Sequence, residues 1–558
     1  MNPFALTYRE QQQLFLFSRD YVSTTLLKVG GLSSLLSRFC VQFFWNPVAA
    51  TSLTVLLLAL SSYMLWVAVR RSKHDWITIF VSLVPSCFIG ASISDNCLHF
   101  DFLTSIILAE AGLVAFKNLG FHKLISGIFL TIILYVTSGP VAIVFSCSGC
   151  IIGMFEEEYP CGKKWHYIAL PLVAVACGAL SYSLSQTPVL ADSFLPSFHY
   201  DNDVSMPVTH WFGWISIIVV VLLSRINHKK IMAVSGLIIF VISLAFSIHI
   251  SRNIDKGSNI IGYEYEYYTV NERWDDLIES CKRHVWSPGT ANYLNLSNAY
   301  KGKLSENVLK YDNRGISSLL MIPEAKTVDV RVAHIMFAMG NVAGAQNISY
   351  NALFTSEGYA PSMLKMNTLI ELMRGSYDIA EKYLSILEKT IHYREWAEQY
   401  SRFLWNDRAV GEDVLLGNGR INFYAANGFA TPEKSFTDLM EIVRQNPSDT
   451  KAMQYCLSFL LLSKDISRLQ EFVDEYWGWV SLKPLPAAVQ EALIFYSEYS
   501  RNFPDVEPVS LDWCRSHGVT DETIKRFGRF QQATLSNGGR APDSFRTTFW
   551  HYLLYEQI

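Results

Sequence analysis

The stretch from Pro47 to Val69, PVAATSLTVLLLALSSYMLWVAV, carries no charge and stops at Arg70-Arg71-Ser72-Lys73. A bilayer core of about 30 Å takes about 20 apolar residues of helix. This stretch therefore reads as a membrane span, and the rest of the chain is read outward from it. Trp76–Ile93 is a second apolar run. The polar Ser94–Asp101 follows, then a third run at Phe102–Phe116. Phe121–Phe155 is too long for one span and holds Ser138-Gly139-Pro140 at its centre, a strong breaker. It reads as two spans joined by a tight turn. Ile168–Ser185 is the sixth run. After the polar Gln186–Met206 come Pro207–Leu223 and Ile231–Ile250, the seventh and eighth. Of the 558 residues, 17% are charged, against roughly 25% in ordinary soluble chains. That deficit, concentrated between Pro47 and Ile250, excludes a single soluble globule, a disordered chain and a collagen. Ten cysteines are too few for a disulfide scaffold. A net charge of -4 excludes nucleic acid as a partner on charge grounds. The expected fold class is all-α, a polytopic membrane domain over 47–250 in the lipid bilayer followed by a soluble domain.

Charge gives the expected topology, because Lys and Arg beside spans favour the cytoplasm. Arg70, Arg71 and Lys73, then Lys117 and Lys123, then Lys163 and Lys164, then Arg225, Lys229 and Lys230 occupy alternate loops. Ser94–Asp101, Ser138–Pro140 and Gln186–Met206 hold none. The alternation requires the hairpin within Phe121–Phe155 and puts the C-terminal domain outside the cytoplasm. Residues 1–46 carry Arg9, Arg19, Lys28 and Arg38 between apolar patches, and Gly30-Gly31 interrupts them. They read as two short amphipathic helices in the outer interface. The alternative is a ninth span over Tyr21–Trp45. Met1–Arg9 has no apolar core, so no cleavable signal peptide is expected.

Residues 251–270 read as a juxtamembrane linker, with Tyr263, Tyr265, Tyr267 and Tyr268 as an interfacial aromatic belt. From Asn271 to the end the apolar spacing is helical and breaks at Ser287-Pro288-Gly289 and Asn446-Pro447-Ser448. Within Met363–Glu388, Gly375, Tyr377, Ala380 and Leu384 resemble the turn, aromatic and packing positions of a tetratricopeptide repeat. Ser448–Tyr476 is a weaker copy, with Leu469 in place of Ala380. Such units stack into a solenoid whose concave face takes peptides or proteins, so 271–558 is expected to be a non-cytoplasmic α-solenoid carrying a protein partner.

Three stretches together resemble an uncharacterised family of bacterial polytopic membrane proteins with a C-terminal tetratricopeptide-like domain. They are Arg9-Glu10-Gln11-Gln12-Gln13-Leu14-Phe15-Leu16-Phe17 with Asp20-Tyr21, then Gly30-Gly31-Leu32 with Phe39 and Gln42-Phe43-Phe44, and Thr547-Thr548-Phe549-Trp550-His551-Tyr552-Leu553-Leu554-Tyr555. The resemblance implies a bacterial inner membrane with the C-terminal domain in the periplasm. This chain has Val29 where the family usually has Pro. The family usually has a hydrophobic helix before the Arg-Glu-Gln run, and since Met1 stands nine residues before Glu10, that helix is expected either to be absent or to precede Met1. The order of parts also resembles the GT-C glycosyltransferases, which implies transfer of a sugar from a polyprenyl-linked glycan to an envelope acceptor. The alternative is a scaffold that holds partner proteins of an envelope or translocation complex.

The candidate chemistry lies in the polar loops. Asp95, His99 and Asp101 fall within eight residues beside the membrane, and can act as a base or, through Asp95 and Asp101, hold a divalent cation. Glu110 is an acid inside a span, the position that most often marks function. His199, Asp201, Asp203 and His210 form a second polar group on the same side and are the expected substrate-binding residues. Cys147 and Cys150 have a redox spacing but lie in an apolar span, where a structural role is expected. The sequence has no phosphate-binding Gly-rich loop, zinc spacing or Gly-x-Ser-x-Gly motif.

Overall fold

The structure is a computed structural model that describes residues 2–70, 78–95, 98–119, 122–155, 161–184, 186, 189–195, 208–225, 229–257, 260–322, 330–355, 360–423, 435–502 and 508–556. Every regular element among them is helical. The chain divides into two compact units. Unit 1 comprises Met1–Glu264, Tyr359–Pro361 and Ile386–Glu395; unit 2 holds Tyr265–Gly358, Ser362–Ser385 and Trp396–Ile558.

Unit 1 contains α1 (Pro3–Glu10), α2 (Arg19–Leu26), α3 (Gly31–Val41), α4 (Pro47–Val69), α5 (Ile79–Ser92), α6 (Asp101–Asn118), α7 (Lys123–Ser138), α8 (Ala142–Met154), α9 (Ala169–Ser183), α10 (Val208–Leu223) and α11 (Lys229–Gly257). Residues Pro47–Val69, Lys123–Met154, Trp165–Ser183 and Val234–Asn253 are long and apolar enough to cross a membrane; α3, α5 and α10 are apolar but shorter. The break expected inside Phe121–Phe155 is present. Gly139, at φ +73, ends α7, a single turn of 3-10 helix follows, and α7 and α8 pack against each other.

Beside a buried core that includes Leu65, Phe102, Phe116 and Phe145, these helices turn small and polar residues inward and leave many large apolar ones exposed. On α4, Ala50, Thr54, Ser61 and Ser62 face inward while Val48, Val55, Leu56 and Leu60 face out. On α7, Gly127, Thr131 and Ser138 are inside, and Ile125, Phe129, Ile132 and Ile133 outside. On α9 the inward residues include Ala174 and Gly178. In water this order would be reversed. Against lipid, which is as apolar as leucine, small residues bring helices together and apolar ones cover the outside.

Residues 1–46 hold three helices rather than two, and Gly30-Gly31 prevents one continuous span over Tyr21–Trp45. α1 packs on α4 and buries Leu6. Gly30, at φ +75, donates its N–H to the Val136 carbonyl at 2.9 Å and lies against the turn at Gly139. A Cβ on Gly31 would lie 2.1 Å from the Thr25 carbonyl oxygen, so only glycine fits where α3 leaves α2. The expected linker at 251–270 is helical: α11 runs through to Gly257, and Ile260–Val270 is a further helix. No Gly or Pro stands between Ile250 and Gly257 to stop it.

The short segment Ile386–Glu395 belongs to unit 1 although it lies far along the chain. Tyr393 O–H donates to the Glu10 carboxylate at 2.8 Å, and Phe17 N–H donates to the Lys389 carbonyl at 2.8 Å. His392 stacks on Trp45. Burial and the Glu10 carboxylate beside it raise the Tyr393 phenol well above its usual value, so it remains the donor.

Unit 2 is built of consecutive paired helices. Pro361–Arg374 and Tyr377–Glu388 turn at Gly375, at φ +81, and Tyr377, Ala380 and Leu384 are buried. Thr450–Leu462 and Ile466–Tyr476 form another pair, with Leu469 inside. Tyr265 is buried against Tyr293 in this core and is no part of a belt. The C-terminal helix Phe549–Tyr555 docks on the helix Ala487–Asn502. Phe549 N–H donates to the Glu491 carboxylate at 2.8 Å, Trp550 Nε1–H to the Glu491 carbonyl at 2.7 Å, and Arg526 pairs with Glu491 at 3.1 Å. Asn295, one of two Asn-x-Ser/Thr sites, is buried and bonded to Asn313 and Ser318.

Candidate functional site

The two ends of unit 1 differ. At one end Lys117 Nζ donates to the carbonyls of Val67 and Arg70, closing the last turn of α4. Lysine suits a helix C-terminus, where carbonyls lack partners and the dipole is negative. The opposite end gathers hydroxyls, the start of α3, and the Ile93–Asp101 loop. There Ser92 Oγ donates to Thr209 Oγ1 at 2.9 Å, joining the end of α5 to the start of α10. Ser94 pairs with Ser251 on α11. Thr104 Oγ1 donates to the Ser33 carbonyl at 2.8 Å.

Arg9 shapes this end. It is fully buried, and its guanidinium donates to the carbonyls of Leu98 at 3.0 Å, Ile93 at 2.8 Å and Asp95 at 2.8 Å. These carbonyls lie just beyond the C-terminus of α5, where a cation is favoured by the dipole. A planar group with several fixed donors can hold all three at once. Arg9 thus fixes the loop that carries Asp95, His99 and Asp101, while Glu10 next to it receives Tyr393.

Asp95 joins the site through its carbonyl, which Arg9 holds. His99 lies in the extended stretch before α6 and is half-buried. Asp101 opens α6. The residue is 8% exposed, and its Oδ1 is buried without a hydrogen-bond partner among the described residues. Next to it, Phe102 meets His210 edge-on at 5.3 Å between ring centres, so the starts of α6 and α10 are neighbours. His210 is buried and also lies against Trp214.

The other candidates are not brought here. Glu110 is nine residues further along α6, about 14 Å at the helical rise. It is buried beside Ser61 of α4. His199, Asp201 and Asp203 lie outside the described residues. Among the described residues no three His, Cys, Asp or Glu side chains come together to hold a metal ion. Cys147 and Cys150, both on α8, are unpaired thiols.

In the sequence Arg9 and Glu10 are legible only as a charged pair in an apolar N-terminal run. The carbonyl partners of Arg9 and the tyrosine partner of Glu10 lie more than 80 residues away, and nothing local points to them. No curated protein and no solved structure matches the chain. A family model described as a family of unknown function, DUF6057, matches residues 1–556. With its whole length bar the last two residues covered, the chain belongs to that family.

Proposed function

We propose that unit 1 is embedded in a bacterial inner membrane by about eight spans, four of them formed by shorter or interrupted helices. We propose further that its hydroxyl-rich end is the periplasmic face of a GT-C-like transferase moving a sugar from a lipid-linked donor to an envelope acceptor. The observation that carries this reading is Asp101, a buried carboxylate with an oxygen that no group among the described residues satisfies, at the polar end of the helix cluster. Leaving such a group unpaired is costly, and such strain is kept where it serves function. The carboxylate would take the proton of an acceptor hydroxyl as its oxygen attacks the anomeric carbon and the phosphate of the donor leaves. Asp95 and Asp101 are the two acidic residues of this loop and would be the protein ligands of a divalent cation on that phosphate, whose remaining ligands would be phosphate oxygens and water. Unit 2, a tetratricopeptide-like array in this reading, presents the acceptor.

Asp101→Asn removes the base with little change in volume. Transfer, followed as the envelope glycan pattern of a deletion strain complemented with the variant, should fall by about a hundredfold or more, with membrane insertion unchanged. Full complementation by Asp101→Asn would remove it from the chemistry. A second reading is favoured by the paired helices of unit 2: a membrane-anchored scaffold holding partner proteins. Unaltered glycans in the deletion strain would select it.

A further inference from the structure

A groove of about 620 Å³ runs between α4, α5 and α11, within the roughly 300–1,000 Å³ of ligand sites. Each helix lends it one stripe at helical spacing. Val55, Leu58 and Ser62 come from α4, Cys87 and Gly90 from α5, and Leu244 and Ser247 from α11. Small residues on α5 keep the floor low, so α4 and α11 stand as walls. Val55 and Leu244 are exposed, and the groove thus opens sideways on the face that carries the outward apolar residues.

Its two ends differ in chemistry. Ser251 and Arg252 close it at the hydroxyl-rich end of unit 1, where Ser251 pairs with Ser94. Arg252 is exposed there. One turn deeper is Ser247, 4% exposed, whose hydroxyl has no hydrogen-bond partner among the described residues although it lines the groove. A single buried hydroxyl left open in an apolar wall calls for a polar atom on whatever fills the groove. Arg252 and Ser247 are five residues apart on one helix, about 7 Å along its axis.

We propose that this groove binds a glycerophospholipid. The phosphate meets the Arg252 guanidinium, which favours phosphate oxygens. One acyl ester carbonyl, a helical turn deeper, accepts from Ser247 Oγ. The acyl chain lies along Val55, Leu58 and Leu244. An isoprenoid phosphate satisfies Arg252 but offers nothing to Ser247, because it has no carbonyl below the phosphate. The ester is thus what selects the occupant. The proposal rests on the membrane placement given above, but not on transfer at Asp101.

The test uses the full chain purified in detergent. Binding is measured by native mass spectrometry with dipalmitoyl phosphatidylglycerol, its diether analogue, a long-chain isoprenoid phosphate and inorganic phosphate as probes. The diester should bind about fivefold more tightly than the diether, the value of one neutral hydrogen bond. Ser247→Ala should abolish that difference. Arg252→Gln should weaken both lipids alike, and Ala59→Trp should block the groove to both while circular dichroism stays unchanged. Should Ala59→Trp misfold, Cys87→Phe fills the floor instead. Equal binding of diester and diether by the unsubstituted protein overturns the ester contact. Isoprenoid phosphate binding more tightly than the diester overturns the choice of occupant, as does inorganic phosphate competing equally with the lipids. A membrane-bound protein that retains no lipid overturns the groove alone. Recovery of the chain in the soluble fraction overturns both the groove and the membrane placement.

Discussion

Glu491 shows what a single buried group contributes. It is 3% exposed, and burial pushes its carboxyl up to about 7, although the Phe549 N–H and Arg526 pull the other way. A carboxyl that holds its proton longer in the native state binds more protons than the unfolded chain between about pH 4.5 and 7. Stability therefore falls as pH rises through that window and levels off above it. The loss amounts to about 3 kcal/mol at 1.36 kcal/mol per unit. Denaturant unfolding of the full chain, followed by fluorescence, should show that decline, and Glu491→Gln should flatten it; an equal decline in the variant would clear Glu491 of the effect. In the sequence Glu491 is one acid among many on an amphipathic helix, and its role becomes visible only when Phe549 and Trp550 dock on it. Asp101 is legible there, because an acid in the first turn after a polar loop marks itself. His210 is legible as a polar residue at the start of a span, but its position beside Phe102 follows from the packing of α10 against α5 and α8, which no local spacing encodes.

At the level of elements, composition locates most helices, but it locates their ends less well. The apolar run Trp76–Ile93 yields the helix Ile79–Ser92 among the described residues, and Phe121–Phe155 divides where Gly139 adopts a positive φ. The N-terminal segment reads as amphipathic, and α3 is. Its buried face, however, is Gly31, Ser33 and Ser37 with Val41 at the end, while Leu36 and Phe39 are exposed. Which face turns inward depends on whether the surroundings are water or lipid, and the periodicity is the same in both. In unit 2 the turn at Gly375 and the burial of Ala380 agree with the repeat-like spacing. Ala380→Arg places a charge in that fully buried position, where overpacking and desolvation add. A loss of about 2–4 kcal/mol is expected, seen as an earlier unfolding midpoint. A variant as stable as the unsubstituted protein would mean that the hairpin is not packed through Ala380. Gly31→Ala should destabilise the α2–α3 corner, because its Cβ would meet the Thr25 carbonyl. In detergent this should appear as faster hydrogen exchange confined to residues 19–41, and unchanged exchange there would contradict that corner.

For the whole molecule, the polar contacts of unit 1 gather Arg70 and Lys117 at one end, and Ser94, Thr209 and Ser251 at the other. If the unit spans the membrane as proposed, cysteine labelling at Lys73 and Lys163 should report the cytoplasm, and labelling after Gly257 the opposite side. External labelling at Lys163 would break the alternation. The apolar run of the chain is legible because an uncharged stretch of about twenty such residues matches the thickness of a bilayer core. The composition of unit 1 is not, because Ile386–Glu395 sits in the midst of a helical, ordinary-looking region and joins the N-terminal helices through Glu10, Phe17 and Trp45.

That late segment bears on how the protein is made. Glu10 and Tyr393 are 383 residues apart, and a ribosome adding about 5–20 residues per second needs roughly 20–80 s to pass from one to the other. Throughout that interval the buried end of α1 has its arginine partners within reach but not its tyrosine. If unit 1 lies in the membrane as proposed, the first helices must therefore wait there, incompletely assembled and open to quality-control proteases, until most of unit 1 and about half of the remaining chain have emerged. A nascent chain arrested before Tyr393 should be short-lived in the cell, and one arrested just beyond Glu395 should persist.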